Sequence, residues 1–189
     1  AKTFSHANNC YGAEGYIHGF SGYALELLIC YYGSFLNFIK QIVKSGKDKI
    51  IIDDAKFYKN KEEILRELNE SKSQSPIILI DPTFKERNAL AGLSDETFIK
   101  FKKTCQDFLR KPSKEFFNVK DIKNELKNKY KDKLIILSVK TNKQTGDIAG
   151  TKSKKFFDLF NKKLEREFEI KKSVFDYKEK ENLAYFYLV

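Results

Sequence analysis

Residues Gly19 to Phe35 read GFSGYALELLICYYGSF. Ser21-Gly22 is a helix start, since a small hydroxyl residue can cap free backbone N–H groups, and Gly33 is its stop. Between them Tyr23, Leu27, Leu28 and Tyr31 recur at three- and four-residue steps, which predicts a short, strongly apolar helix with one carboxylate, Glu26, inside it. On physics alone such a segment is a core helix. Past Gly33, Phe35, Phe38, Ile39, Ile42 and Val43 keep helical spacing up to Ser45-Gly46, so a second helix should meet the first at Gly33 in a hairpin or elbow.

Upstream, Lys2 to Cys10 reads as a short helix with Phe4 and Ala7 on its apolar side. His6 and His18 are isolated, which suits surface or core roles better than metal ligation. Downstream, Lys49 to Asp53 (KIIID) is a β-branched strand, Lys59 to Ser71 a solvated surface helix around Ile64, Leu65 and Leu68, and Glu70 to Ser75 an exposed loop. Pro76 to Ile80 is a second strand ending at Asp81-Pro82. Ser94-Asp95-Glu96-Thr97 then caps a long helix carrying Phe98, Phe101, Cys105, Phe108 and Leu109, with Lys100, Lys102 and Lys103 on its other side, and Pro112 ends it.

A lysine-rich amphipathic helix from Val119 to Tyr130 marks the change of pattern. Lys133 to Val139 is a strand, Thr151 to Phe168 a helix with Phe156, Phe160 and Leu164 on one stripe, and Glu169 to Val189 a hairpin turning near Lys178 to Asn182. The fold class is α+β: a helix-rich domain over residues 1–117, then an open antiparallel sheet of RNA-recognition (RRM) or ferredoxin-like layout over residues 118–189. Phe175, Tyr177, Tyr185, Phe186 and Tyr187 are either a base-stacking surface or ordinary sheet packing, and no RNP-type octapeptide favours the first.

Lys and Arg number 36 against 26 Asp and Glu, a formal charge of +10, which suits a polyanionic partner. Hydrophobic residues at 41% of 189 can fill one good core or two small lobes. Cys10, Cys30 and Cys105 lie far apart with no C-x-x-C pair, so neither a disulfide framework nor a zinc site is expected, and a reducing cytoplasm follows. No apolar run reaches the length of a membrane span, and no membrane partner is expected.

Three segments resemble the central domain of the archaeal (class I) CCA-adding tRNA nucleotidyltransferases, in the family's order. They are YGAE at Tyr11 to Glu14 with GFSGYALELLICYYGSF behind it, IDPTFKERNALAGLS from Ile80 to Ser94, and FLRKPSKEFF from Phe108 to Phe117. A weaker echo, DIAGTKSKKF at Asp147 to Phe156, is similar to the opening of a helix in the following domain. The resemblance implies addition of C, C and A to tRNA 3′ ends from CTP and ATP. It also implies a role for each of three residues: Lys2 and Tyr11, nine apart, as triphosphate contacts, and Arg87, in the ERN of the second segment, as the residue that helps select the base. An ammonium neutralises phosphate charge, a phenolic hydroxyl fixes orientation, and a guanidinium offers a planar fork of donors. Read from residues alone, Arg87 is better explained as half of a buried pair with Glu26 or Asp81.

Nucleotidyl transfer needs carboxylates that hold metal ions. In the resembled family these follow a Gly-Ser and Asp-x-Asp pattern in a catalytic head, and no such pattern occurs here, so Mg2+ is assigned to the head and no catalytic or metal residue to this chain. Asp53-Asp54 is a strand end. The reading is a substrate-binding part of a CCA-adding enzyme whose catalytic head lies on a separate chain, inactive alone, with the tRNA acceptor end as partner. Lys100, Lys102, Lys103, Lys152, Lys154 and Lys155 are the candidate tRNA phosphate contacts. A homodimer stays open. The rival readings are a non-catalytic RNA-binding scaffold and a subunit of a poly(A)-polymerase-like enzyme.

Overall fold

The computed structural model describes residues 1–46 and 48–189 and divides into two compact units, one of Ala1–Ala13 with Ile17–Val119, the other of Glu14–Tyr16 with Lys120–Val189.

In the first unit the apolar stretch forms helix α2 (Gly22–Tyr32), preceded by the short α1 (Lys2–Ala7) and followed by α3 (Phe35–Lys44). The Ser21 hydroxyl accepts the Ala24 N–H at the start of α2, as its side chain predicts. Gly33 stops the helix at φ 75°, a left-handed conformation that a glycine adopts without steric cost, and the Ser34 hydroxyl caps α3 at once. The two helices meet at 90°. On α3 the expected Phe38, Ile39 and Ile42 are buried.

On α2 the buried face differs from the expected stripe: it consists of Ala24, Leu25 and Leu28, while Tyr23 and Tyr31 are partly exposed to solvent. A helix apolar on nearly every side carries little periodicity, so its sequence does not say which side is covered. Among the described residues no single helix is long and apolar enough to cross a membrane.

Strand β1 (Ile50–Ile52) lies parallel to β2 (Ile77–Asp81) with Ile50 beside Ile77, and β3 (Phe84–Asn88) returns antiparallel to β2. The parallel crossover runs through α4 (Lys61–Glu67) and α5 (Glu70–Ser73). These replace the expected single helix and loop, because Leu68 turns extended and the Asn69 side chain caps a new start. Strand β3 has no counterpart among the sequence-based expectations. Its FKERN sequence is exposed at four of five positions and lacks strand alternation, so tertiary contacts define it. Buried Asn88 anchors it: its Oδ1 accepts from the Leu79 and Leu90 N–H groups, and its Nδ2 donates to the Lys72 carbonyl and the Ser75 hydroxyl.

Helix α6 (Asp95–Arg110), capped by Ser94, packs Phe101 and Cys105 into the core. Phe4 of α1 is fully buried with its ring against Phe35, Phe101, Phe108 and Phe117, at centroid distances of 5.2 to 5.9 Å.

The second unit contains α7 (Ile122–Tyr130) and a β-α-β-β succession: β4 (Ile135–Lys140), α8 (Gly146–Leu164), β5 (Ser173–Lys178) and β6 (Leu183–Leu188). The sheet is open and antiparallel in the order β4-β6-β5, which fits the expected α+β class. Helix α8 begins at Gly146, earlier than expected, and buries Ala149, Gly150, Ser153, Phe157 and Asn161. The expected stripe is thus one position off: Phe156 is half exposed, and Phe160 and Leu164 are partly covered. Small residues at 149, 150 and 153, which carry little hydrophobic signal, lie on the buried face.

Of the aromatic side chains of this sheet, two are buried by packing, and Phe175, Tyr177 and Tyr185 are partly exposed. Phe186 is fully buried against Phe157, Phe175 and Ala184 belong to the same cluster, and Tyr187 is 2% exposed on the opposite face. Burial pushes the Tyr187 hydroxyl up to about 12, with Asp176, Tyr185 and Asp121 adding to it.

Candidate functional site

Three of the residues assigned from the sequence, Lys2, Tyr11 and Arg87, lie around the first turn of α2. A hydrogen-bonded loop delivers Tyr11 to it: Gly12 donates to the Phe20 carbonyl at 2.9 Å, Phe20 to the Cys10 carbonyl at 2.8 Å, and Gly19 to the Gly12 carbonyl at 2.7 Å. Gly19 must be glycine, since a Cβ would lie 2.4 Å from the Cys10 carbonyl oxygen. At Gly22 a Cβ would meet the Tyr11 hydroxyl at 2.9 Å and the Lys2 ammonium at 3.6 Å, so both polar ends converge on the backbone of that residue. Lys2 is brought there by α1, and its ammonium donates to Glu26 Oε1 at 2.5 Å. Both side chains are at least half exposed, and the Glu26 hydrogen bond raises the Lys2 pKa, so the ammonium is charged at neutral pH. A groove alongside, lined by Lys2, Glu26, Leu25, Ile29 and Cys30, takes in Lys2 but neither Tyr11 nor Arg87.

On another side of the same turn stands a second cluster. Arg87 Nη1 lies 3.4 Å from Asp81 Oδ2, and the guanidinium carbon lies 5.8 Å from the centre of the Tyr23 ring. The expected pair with Asp81 therefore forms, but it is not a buried pair: the Arg87 side chain is 59% exposed and only Asp81 is buried. Glu26, the other candidate partner, is taken by Lys2. Asp81 Oδ1 accepts the Tyr23 hydroxyl at 2.9 Å, the Thr83 N–H at 2.9 Å and the Thr83 hydroxyl at 2.7 Å. Burial opposes ionisation of Asp81, but these hydrogen bonds and the Arg87 charge outweigh it and hold the carboxyl below its usual range. Tyr23, Asp81 and Thr83 do not stand out as site residues in the sequence. The IDP-T run carries the signal, a carboxylate at a strand end followed by turn residues that can donate back to it.

The candidate phosphate-contacting lysines are not equivalent. Lys102 donates to the Ser45 carbonyl and hydroxyl, which ties the C-terminal end of α3 to α6, and Lys100 reaches the Asn9 carbonyl at 3.3 Å. Lys103 is exposed. In the second unit Lys154 pairs with Asp158 at 2.5 Å and lies over the Phe157 ring, while Lys152 and Lys155 are exposed. Among the described residues no group of three or more His, Cys, Asp or Glu is arranged to hold a metal ion.

A hydroxyl and an ammonium meeting at a helix start, with an exposed guanidinium nearby, suit a polyanionic ligand that carries a planar group. Residues 1–118 match the family described as tRNA nucleotidyltransferase, second domain. The chain belongs to the tRNA nucleotidyltransferase family. It is 47% identical to the CCA-adding enzyme of Nanoarchaeum equitans over 51% of this chain and 24% of the relative. It is also 40% identical to the CCA-adding enzyme of Pyrococcus abyssi over 65% of this chain and 28% of the relative. The likeness to the CCA-adding enzyme of Methanocaldococcus jannaschii, at 33% identity, covers 85% of this chain and 36% of the relative. The chain thus spans between about a quarter and a third of the length of these curated relatives.

Proposed function

We propose that this chain is the nucleotide- and tRNA-binding part of a CCA-adding tRNA nucleotidyltransferase, working with a catalytic head. The convergence of Lys2 and Tyr11 on Gly22 carries the reading, because it joins a charge-neutralising and an orienting group at one helix start. The Lys2 ammonium has three N–H donors and uses one on Glu26, so it can meet phosphate oxygens without releasing its partner. The Tyr11 hydroxyl would fix the triphosphate's orientation, and the exposed edge of Arg87 would face the base. Among the described residues the carboxylates form no group arranged to hold a metal ion. The metal clamp and the attack on CTP and ATP belong, in this reading, to the head. The first unit would hold the acceptor end of the tRNA.

The assay is CCA addition to a tRNA lacking its 3′ end, run with this chain, with the catalytic head of an archaeal CCA-adding enzyme, and with both. Transfer is expected only from the mixture, stopping after three nucleotides. Activity from the chain alone would overturn the division of labour. A long homopolymer would indicate a poly(A)-polymerase-like enzyme, and tRNA binding without any gain of activity would indicate a scaffold.

A further inference from the structure

The turn between β2 and β3 contains a feature that the contacts of Arg87 alone do not explain. Asp81 is fully buried, and its two oxygens are treated differently: Oδ1 receives three hydrogen bonds, whereas Oδ2 is buried and receives none. A carboxylate held on one oxygen by a backbone N–H, a neighbouring hydroxyl and a phenol from another element cannot rotate, so the direction of its second oxygen is set. The cation facing that oxygen is Arg87, at 3.4 Å, outside hydrogen-bonding distance yet close enough for attraction. The Tyr23 ring that fixes Asp81 through its hydroxyl also lies beside the Arg87 guanidinium. Tyr23 therefore touches both members of the pair.

We propose that Asp81, locked by Tyr23 and Thr83, is a positioning residue that aims the Arg87 guanidinium and thereby sets which nucleobase the site accepts. The inference rests on the reading that Arg87 meets the base of the incoming nucleotide. A flexible, exposed arginine discriminates poorly, because it can follow a wrong base with little loss. One drawn toward a fixed carboxylate presents its remaining N–H groups along one line, and a base whose edge does not match leaves them unpaired. Asp81 and Tyr23 do not contact the nucleotide in this arrangement. They act through Arg87.

The test uses the chain combined with the catalytic head and measures the preference for CTP over UTP in Arg87→Ala, Asp81→Asn, Tyr23→Phe and the double variant Asp81→Asn/Arg87→Ala. Inhibition by tripolyphosphate, which has no base, is measured alongside. Arg87→Ala and Asp81→Asn are each expected to narrow the preference roughly tenfold, and Tyr23→Phe by less. Tripolyphosphate inhibition should not change, and the double variant should be no worse than Arg87→Ala alone. If Arg87→Ala leaves the preference intact, the reading of Arg87 fails. If Arg87→Ala narrows it while folded Asp81→Asn and Tyr23→Phe do not, or if the two losses multiply in the double variant, the positioning role alone is overturned. Should Asp81→Asn fail to fold, Tyr23→Phe decides, since it removes one hydroxyl and keeps both the ring and the carboxylate.

Discussion

At Gly22 the absence of a side chain matters little for folding and a great deal for the site. The atom a Cβ would meet first is the Tyr11 hydroxyl, at 2.9 Å, the outer end of a side chain and not backbone. Gly22→Ala should therefore leave folding intact or improve it slightly, as alanine is the better helix former by up to about 1 kcal/mol. Thermal unfolding measures that part. The same substitution should displace the Tyr11 hydroxyl, so use of CTP and ATP in the presence of the head should fall about as far as in Tyr11→Phe, and equally for both nucleotides, because a triphosphate contact is blind to the base. An unchanged KM for both would detach Tyr11 from the triphosphate. Residue types at this scale are partly legible in sequence: Tyr11 and Arg87 stand in recognisable words and Lys2 is placed by its distance from Tyr11, but the partners that orient them are not marked. Glu26 is visible as a lone carboxylate in an apolar helix, yet nothing in its spacing says that Lys2, twenty-four positions away, would claim it.

Among the elements, α1 is the one whose existence depends most on distant packing. Six residues are too few to hold a helix in water, and its side chains supply no N-terminal cap. What holds it is Phe4, buried in the ring of phenylalanines from α3, α6 and the Lys114–Phe117 turn, together with the Asn8 side chain, which donates to the Phe116 carbonyl at 2.9 Å. Phe4→Ala should cost roughly 3–5 kcal/mol in urea unfolding. Where the unit still folds, nucleotide use should fall further than in Lys2→Ala, because the whole element that carries Lys2 loosens. A loss below about 1 kcal/mol, far short of what a buried aromatic contributes, would show that α1 is held by something other than this cluster. Elements are legible wherever local signals agree. Ser21, Ser34 and Ser94 caps, the Gly33 stop and the periodic faces of α3 and α6 each combine a terminus with a pattern. They are illegible where tertiary contacts decide: β3 is polar and held by Asn88, and α8 buries small residues on its covered face.

For the whole molecule, the formal charge of +10 predicts attraction to tRNA, but the hydrogen bonds of individual lysines separate those free to meet phosphate from those already engaged in the fold. Lys152 and Lys155 on α8 are exposed, and the charge of each is available to solvent ions. Lys102, by contrast, is engaged by Ser45, so its charge is part of how α3 and α6 are joined. Reversing Lys152 and Lys155 to Glu should weaken tRNA binding and flatten its dependence on salt, since every phosphate that a lysine neutralises contributes roughly 0.7–0.9 to the slope of log K against log salt. The effect should be alike for tRNAs of different sequence, because phosphate contacts carry no base information. Reversing Lys102 should act on the other axis: it places a carboxylate against the Ser45 carbonyl, so the chain should melt at lower temperature while the salt slope of whatever remains folded stays near the original. The two axes are measured independently, by filter binding across a salt series and by thermal unfolding. A steep slope that survives reversal of Lys152 and Lys155 but collapses with Lys102 would move the RNA surface off α8, and would require the Lys102 ammonium to leave Ser45 when tRNA binds.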